Sequence, residues 1–402
     1  MGSKGAIGAA VIGSGFIGTV HIESLRRIGV TVHGVLGSSP ERGAEAAARF
    51  GIPRAYRDLD DLLADDQVDV VHVTSPNREH FPQVKQILAA GKHVNCEKPL
   101  AMDTGESAEL VRLAQDAQAR GQVAAVNFNI RFYPVNQHLR QAVADGDLGE
   151  IRLISGHYFQ DWLLYDTDWN WRLEPEAGGA LRAVGDIGSH WVDLTSHITG
   201  LQVAEVMADM VNFIPVRQQP AGPVETFSND RANETVPREI RTEDAANVLL
   251  RYTNGARGIF SVSQLAAGRK NHVQYEIDGS RAAAAWHGEN PDQLWLGHRD
   301  EPNEILLRNP ALMNAAGRAA AQLPGGHVEG FADSHANHFR AVYADVARGR
   351  MSDHPPYATF ADGHEQMLIG DTIARSSRSG AWTSVERSTA AAPAAVAQGV
   401  AS

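Results

Sequence analysis

The sequence predicts an α/β domain built on a parallel sheet, followed by an α+β domain whose sheet is open and mostly antiparallel. Three observations carry this. Short apolar runs alternate with amphipathic segments over the first third of the chain. After Arg131 the pattern changes to consecutive alternating strands with hairpin signals. A length of 402 residues exceeds what one hydrophobic core supports. The boundaries read as 1–130, 131–387 and an Ala-rich tail, 388–402, expected to be mobile.

Taken in order, Ala6–Ile12 reads as a strand and Phe16–Ile28 as a helix stopped by Gly29. Val30–Leu36 is the second strand. Pro40–Phe50 is helical, with Pro40 suited to a first turn and Gly51 to a helix end. Val68–Thr74 is a strand followed by a helix that Gly91 closes, and His93–Cys96 a short strand. Thr104–Arg120 forms a helix and Val123–Asn127 a strand. In the second part, Val135–Ala144 is helical. Ile151–Phe159, Val203–Phe213, Ala246–Tyr252, Gly258–Gln264 and Val273–Asp278 alternate as strands, and Asn254-Gly255 marks a hairpin. Gln218–Arg238, polar and holding three prolines, reads as a surface loop, and Gly330–Arg348 and Ala361–Arg375 as late helices.

Bulk composition narrows the function. A formal charge of −12 with no compensating Lys/Arg block argues against nucleic acid. No stretch approaches the 18 apolar residues of a membrane span, and no signal-peptide core is present. The single cysteine, Cys96, makes no internal disulfide, so a cytoplasmic location is expected.

Between the first strand and the first helix lies Gly13-Ser14-Gly15-Phe16-Ile17-Gly18. In this context Gly13 permits a tight turn, Gly15 admits a diphosphate to the backbone, and Gly18 lets helix and strand pack closely. The N–H groups opening the helix then face the anion, favoured by the helix dipole. The motif predicts a bound dinucleotide. At the end of the second strand no carboxylate stands where a ribose diol would be held. Ser38, Ser39 and Arg42 either accommodate a 2′-phosphate or form only a loop and a helix start, so residue chemistry leaves NAD against NADP open.

Asn95-Cys96-Glu97-Lys98-Pro99-Leu100 closes a strand at the carboxyl edge of the predicted sheet. With the glycine loop, with Thr74-Ser75-Pro76-Asn77 and His80, with Asn129-Ile130-Arg131-Phe132 and Pro134, with Trp171-Arg172, and above all with Gly178-Gly179 and Asp186-Ile187-Gly188-Ser189-His190-Trp191-Val192-Asp193, the chain resembles the glucose–fructose oxidoreductase / inositol dehydrogenase (Gfo/Idh/MocA) family over most of residues 6–380. The resemblance implies a Rossmann domain and a second domain whose sheet makes the substrate pocket and a homo-oligomer interface. It also implies NAD more often than NADP, a sugar, inositol or related polyol as substrate, and Lys98, Asp186 and His190 as the catalytic group. Their chemistry agrees. Imidazole titrates near neutrality and can take a hydroxyl proton. A lysine cation stabilises developing alkoxide charge. Asp186, four residues before His190, can orient the imidazole or hold a substrate hydroxyl.

Each residue has a plainer role available: a core histidine, a helix N-cap, a solvated lysine. Their joint presence in family order favours the catalytic role. Thr74, Ser75, Asn77, His80 and Glu97 are expected along the cofactor, and Trp171 and Arg172 near the nicotinamide or the substrate. Arg131, Tyr158 and His335 are candidate substrate contacts, with pairing or packing as their alternatives; His327, Glu329 and His338 are placed for either substrate contact or packing. His190, Asp193 and His197 share a helical face without Cys partners or zinc spacing, and no metal is expected. Two further functions remain open: a redox-neutral glycoside hydrolase of the same fold, working by transient oxidation, elimination, water addition and re-reduction, and a non-catalytic dinucleotide sensor.

Overall fold

The computed structural model describes residues 7–222 and 234–387. Six parallel strands, β1 (Gly8–Ile12), β2 (Thr31–Leu36), β3 (Arg54–Ala55), β4 (Val70–Val73), β5 (His93–Cys96) and β6 (Ala124–Val126), form the first sheet. The helices α1 (Phe16–Arg27), α2 (Pro40–Phe50), α3 (Leu59–Leu63), α4 (His80–Ala89) and α5 (Thr104–Gln118) connect them. β1 and β4 are buried along their whole length, which is why they read as mostly Val/Ile/Ala runs, with His72 the one polar side chain. The spatial order β6-β5-β4-β1-β2-β3 reverses direction at β1. The crevice beyond the carboxyl end of that strand is where open α/β sheets bind ligands, and it holds the glycine loop.

The second sheet has nine strands. They run β16-β15-β14-β13-β7-β12-β11-β8-β18 and comprise β7 (Ile151–Phe159), β8 (Val203–Val211), β11 (Ala245–Tyr252), β12 (Arg257–Ser263), β13 (His272–Gly279), β14 (Ala283–His287), β15 (Gln293–Gly297), β16 (Glu304–Leu307) and β18 (Thr383–Ser384). All pairings are antiparallel except β7 with β12. Asn254-Gly255 turns β11 into β12, with Gly255 at φ +93°. One sheet face packs on α6 (Pro134–Ala144) and α8 (Ser189–Thr199), so Ala246, Val248, Leu250 and Tyr252 are buried while Asn247 and Leu249 face outward.

Two expectations are corrected. The segment expected as a loop carries the hairpin β9 (Val216–Pro220) and β10 (Thr235–Glu239) at its ends. Its polar, Pro-containing sequence suits an exposed ribbon rather than a core strand. Its centre, like the tail 388–402, lies outside the described residues. The boundary at 130/131 is also not a clean cut. The chain returns with α10 (Phe331–Arg348) and β17 (Ala358–Thr359), which pairs antiparallel with β6 and completes the first sheet as its seventh strand. Phe339, Val342, Tyr343 and Tyr357 share a core with Ala9, Val11 and Ile22. α11 (Phe360–Ser379) then carries the chain back to β8. The short α7 (Pro175–Gly178) and α9 (Ala315–Ala320) complete the helices of the described residues.

Candidate active site

The glycine loop has the geometry its sequence requires. Gly13 stands at φ +98°, and a Cβ there would meet Thr74 O and Oγ1 at 2.7 Å. At Gly18 a Cβ would lie 2.3 Å from Gly13 O, whereas around Gly15 nothing lies within 4 Å. Turn, packing and open approach thus fall to the three glycines as expected. Gly15 precedes α1, whose first turn has no acidic residue to compete for an anion. Ser14 and Ile17 are half-buried beside the open backbone, and Phe16 is exposed and stacks 6.3 Å from Phe331. Thr74 Oγ1 donates to Ile12 O (2.7 Å), bracing the loop from below.

Across the crevice, β5 ends in Glu97-Lys98. Lys98 Nζ donates to Asp186 Oδ1 (2.8 Å) and to the Asp186 carbonyl (2.7 Å), joining the two domains at one point. Asp186 lies in a wide π-helical turn, Val184–Gly188, that opens into α8. Such turns displace a side chain from ordinary helical spacing and recur at functional sites. Glu243 Oε1 fixes the turn by accepting the backbone N–H groups of Arg182 and Val184, both at 2.9 Å. Asp186 also accepts from Gln264 Nε2 (3.1 Å at Oδ2) and faces Arg172 Nε (3.3 Å). Burial opposes its charge, but Lys98 and Arg172 outweigh it and hold the carboxyl below its usual range.

His190 is buried, edge-on to Phe128 at 5.5 Å and 6.2 Å from the Tyr158 ring. Its Nδ1 has no hydrogen-bond partner. Burial, reinforced by the Lys98 cation, pushes the imidazole down to about 3, so it is neutral at neutral pH with a lone pair to offer. The carboxylate of Asp186 is committed to Lys98, Gln264 and Arg172, and no bond from it to the His190 ring occurs among the described residues.

The other expected residues divide into three groups. Arg172 and Trp171 stay at the site, the guanidinium 4.4 Å over the indole. Tyr158 donates to Asn271 Oδ1 (2.6 Å), and its ring lies 6.2 Å from that of His190. Ser38 and Arg42 are exposed beyond β2, while Ser39 Oγ caps α2 by accepting Arg42 N–H (3.3 Å). The remainder turn inward. Asn77 Nδ2 donates to Gly178 O (2.7 Å), Ser75 Oγ donates to Gln83 Oε1 (2.7 Å), and His80 holds Pro99 O (2.7 Å) and Ser75 O (3.0 Å), so this segment fixes the Lys98 loop.

Arg131 is corrected as a substrate contact. It lies in a buried double hydrogen bond with Asp193 (2.7 and 2.5 Å), which commits both partners. Asp193 therefore does not join His190 and His197 in a metal-binding face; His197 Nε2 sits 3.3 Å from Gln137. His335 is also corrected: it is buried in the first domain, with Nδ1 2.9 Å from Phe331 O and its ring 5.9 Å from that of His21. His327 is exposed, and Glu329 accepts from Gln322 N, Leu323 N and Arg308. Cys96 is buried, and burial raises its thiol pKa, so it is inert. Sequence reasoning passed over His21, Asn127, Gln264 and Glu243. His21 contacts Glu97 Oε1 (2.9 Å), and Asn127 donates to the same oxygen. His21 offered a signal, three residues past Gly18 on the helix that opens the phosphate loop; a lone Gln or Asn ending a strand offers none.

A phosphate-type loop at a sheet switch point, with a lysine from the first domain facing a carboxylate and an imidazole from the second, defines a dinucleotide-dependent oxidoreductase. Comparison with known proteins agrees. Residues 7–127 match the oxidoreductase family model with NAD-binding Rossmann fold, and residues 136–285 match the GFO/IDH/MocA C-terminal domain. The chain belongs to the Gfo/Idh/MocA family of NAD-binding oxidoreductases. Levoglucosan dehydrogenase of Pseudarthrobacter phenanthrenivorans is 27% identical over 94% of this chain and 98% of its own. 1,5-Anhydro-D-fructose reductase of Ensifer adhaerens is 34% identical over 52% of this chain and 60% of its own. Among solved structures, an oxidoreductase domain protein from Kribbella flavida superposes with TM-score 0.85 at 29% identity, covering 96% of this chain and all of its own, 100%. Levoglucosan dehydrogenase in complex with NADH and L-sorbose gives TM-score 0.84 at 25% identity over 96% and 100%.

Proposed function

We propose that this chain is an NAD(P)-dependent dehydrogenase or reductase that moves a hydride between nicotinamide and a secondary hydroxyl or carbonyl carbon of a sugar, inositol or related polyol. The observation that carries the reading is the Lys98–Asp186 contact between domains, with the unpartnered His190 ring in the same crevice. The open backbone at Gly15 and the start of α1 fit a diphosphate, and Gly13–Gly18 would hold it. When bound, the dinucleotide supplies the hydride acceptor or donor. Lys98 polarises the reacting oxygen and stabilises alkoxide charge, and neutral His190 accepts the hydroxyl proton. Asp186 keeps the lysine in place, with Arg172 beside the carboxylate and the Tyr158 ring near His190 as the residues to meet a sugar hydroxyl or ring face.

NAD is the proposed cofactor, following the family. Ser38 and Arg42 are exposed at the end of β2 and free to meet a 2′-phosphate, so NADP belongs in the same assay. The relatives named for levoglucosan and 1,5-anhydro-D-fructose make cyclic sugars the first substrates to try. A second copy is the proposed partner of the outer sheet face, where exposed Leu249 and Ile259 are register neighbours and Leu153 lies beside them on β7. No helix among the described residues is long and apolar enough to cross a membrane, and a cytoplasmic location is proposed with the single buried thiol in mind.

The test follows absorbance of reduced cofactor during a screen of levoglucosan, free sugars, inositols and glycosides. Steady, substrate-dependent accumulation is expected. Release of sugar from a glycoside with no accumulation would replace this reading with redox-neutral hydrolysis. Cofactor binding without turnover on any of them would replace it with a sensor.

A further inference from the structure

Beneath the active crevice, inside the first domain, lies a second polar cluster that the proposed reaction does not use. One donor atom each from His21, Glu97 and His335 lie within 4.8 Å of one another, and all three residues are buried. They come from α1, the end of β5 and α10, three elements far apart in sequence.

Two features point to a ligand among them. The first is a concentration of unsatisfied atoms. His335 Nε2, Asn127 Oδ1, His338 Nδ1 and Asn95 Nδ2 are all buried without a hydrogen-bond partner. Asn127 bonds Glu97, and His338 lies one helical turn from His335 and contacts Asn95 Oδ1 at 2.8 Å, so the four belong to one neighbourhood. Buried polar atoms are seldom left unpaired, and such a group marks an ion or water that completes it.

The second is the way the rings are held. His335 Nδ1 sits 2.9 Å from Phe331 O and donates to it, which leaves Nε2 as a lone pair. His21 Nδ1 faces His72 Nδ1 at 3.0 Å, and His72 Nε2 faces the Tyr343 hydroxyl at 3.1 Å. His21 Nε2 lies 2.9 Å from Glu97 Oε1 and, carrying the proton, donates to it; a bound ion would take that proton's place. At His335 the outer nitrogen is already free. Anchoring one ring nitrogen so that the other is free is the arrangement that orients metal-bound histidines.

We propose that His21, Glu97 and His335 bind a divalent first-row metal ion, zinc foremost, as a structural clamp between α1, β5 and α10. Two imidazoles and one carboxylate are a donor set zinc favours, with a water as fourth ligand. Donors of a tetrahedral zinc site stand roughly 3.3 Å apart, given bonds of about 2.0–2.1 Å. A trio spread over at most 4.8 Å reaches that spacing by small side-chain rotations. The ion would tie the helix of the phosphate loop to the returning C-terminal segment without touching the reacting carbon.

The test is metal analysis of the full chain, purified from zinc-supplemented medium and dialysed. Stoichiometric zinc is expected, with a melting temperature that a chelator lowers and added zinc restores. Cobalt substitution is expected to give the visible d–d absorption of a tetrahedral N/O site. His335→Phe, which keeps an aromatic ring in the same packing, should weaken zinc binding by roughly 100-fold or more. Absence of stoichiometric metal from the native chain, with melting indifferent to zinc and chelator, overturns the proposal and leaves bound water as what satisfies the cluster. Zinc retained by His335→Phe also overturns it, since the ion is then held elsewhere. The measurements on the native chain stand even where the variant does not fold.

Discussion

Two carboxylates on one stretch of chain, Asp186 and Asp193, each pair with a cation that follows a strand of the first sheet, Lys98 after β5 and Arg131 after β6. Arg131 meets Asp193 through two parallel hydrogen bonds, and both side chains are at most 5% exposed. That pair is buried, and the same guanidinium also faces Asp362 Oδ1 at 3.4 Å, so Arg131 is engaged by two carboxylates. Lys98 meets Asp186 where both remain partly open, at 11% and 16%, and the carboxylate is shared with Arg172 and Gln264. The same charges seven residues apart thus do different work. A saturated pair fixes the helix, while an under-saturated one beside an unpartnered imidazole is free to act on a third molecule.

The largest expected effect tests the open pair. Lys98→Ala or His190→Ala should lower kcat by about 10²–10⁴-fold while cofactor binding persists, read by steady-state kinetics beside cofactor titration. Full turnover in either variant breaks the comparison on the catalytic side. Next comes the buried pair: Arg131→Met leaves Asp193 buried and uncompensated and should cost about 3–5 kcal/mol in denaturant unfolding. The double variant Arg131→Met/Asp193→Leu should recover most of that loss. A single variant as stable as the native chain shows that the pair is not the anchor described.

Acid is a smaller lever. His190 and His197 both titrate well below the ordinary 6.5 because they are buried. Below that value the unfolded chain binds protons that the native chain does not. Their stabilisation is therefore complete above about pH 6.5 and is lost as pH falls toward 4. Thermal melting should drop over that window by roughly 1–2 °C for each kcal/mol lost. A melting temperature flat from pH 7 to 4 contradicts it. The mildest change is Gln264→Leu, which removes one of several donors to Asp186. Turnover should fall by about tenfold, the scale of one hydrogen bond to a charged group, with little change in melting. A loss as deep as that of Lys98→Ala would show that Gln264, not the lysine, holds the carboxylate in place.

How much of this could be read from the letters follows the same division. The strands of the first sheet are apolar runs punctuated by Gly, and β5, α2 and β7 match their expected ends residue for residue. The meeting of Lys98 with Asp186 could be anticipated because both sit in spaced motifs in two domains. Arg131 and His335 were misplaced because a single charged or aromatic letter does not show its partner, and those partners lie 62 positions away at Asp193 and on the far helix face at His21. Gln264 and Asn127 carry no pattern at all; only folding brings them to Asp186 and Glu97. The return of β17 to the first sheet was illegible for a similar reason, since two residues are too few to show a period.

That return sets a limit on protein engineering. Phe339, Val342, Tyr343 and Tyr357 complete a hydrophobic core begun by Ala9, Val11 and Ile22. The cofactor half cannot be lifted out as a cassette ending near residue 130. A chimera that swaps it between relatives must carry the segment from α10 to β17 as well, or it will present a bare strand edge and a greasy hollow to every neighbouring molecule.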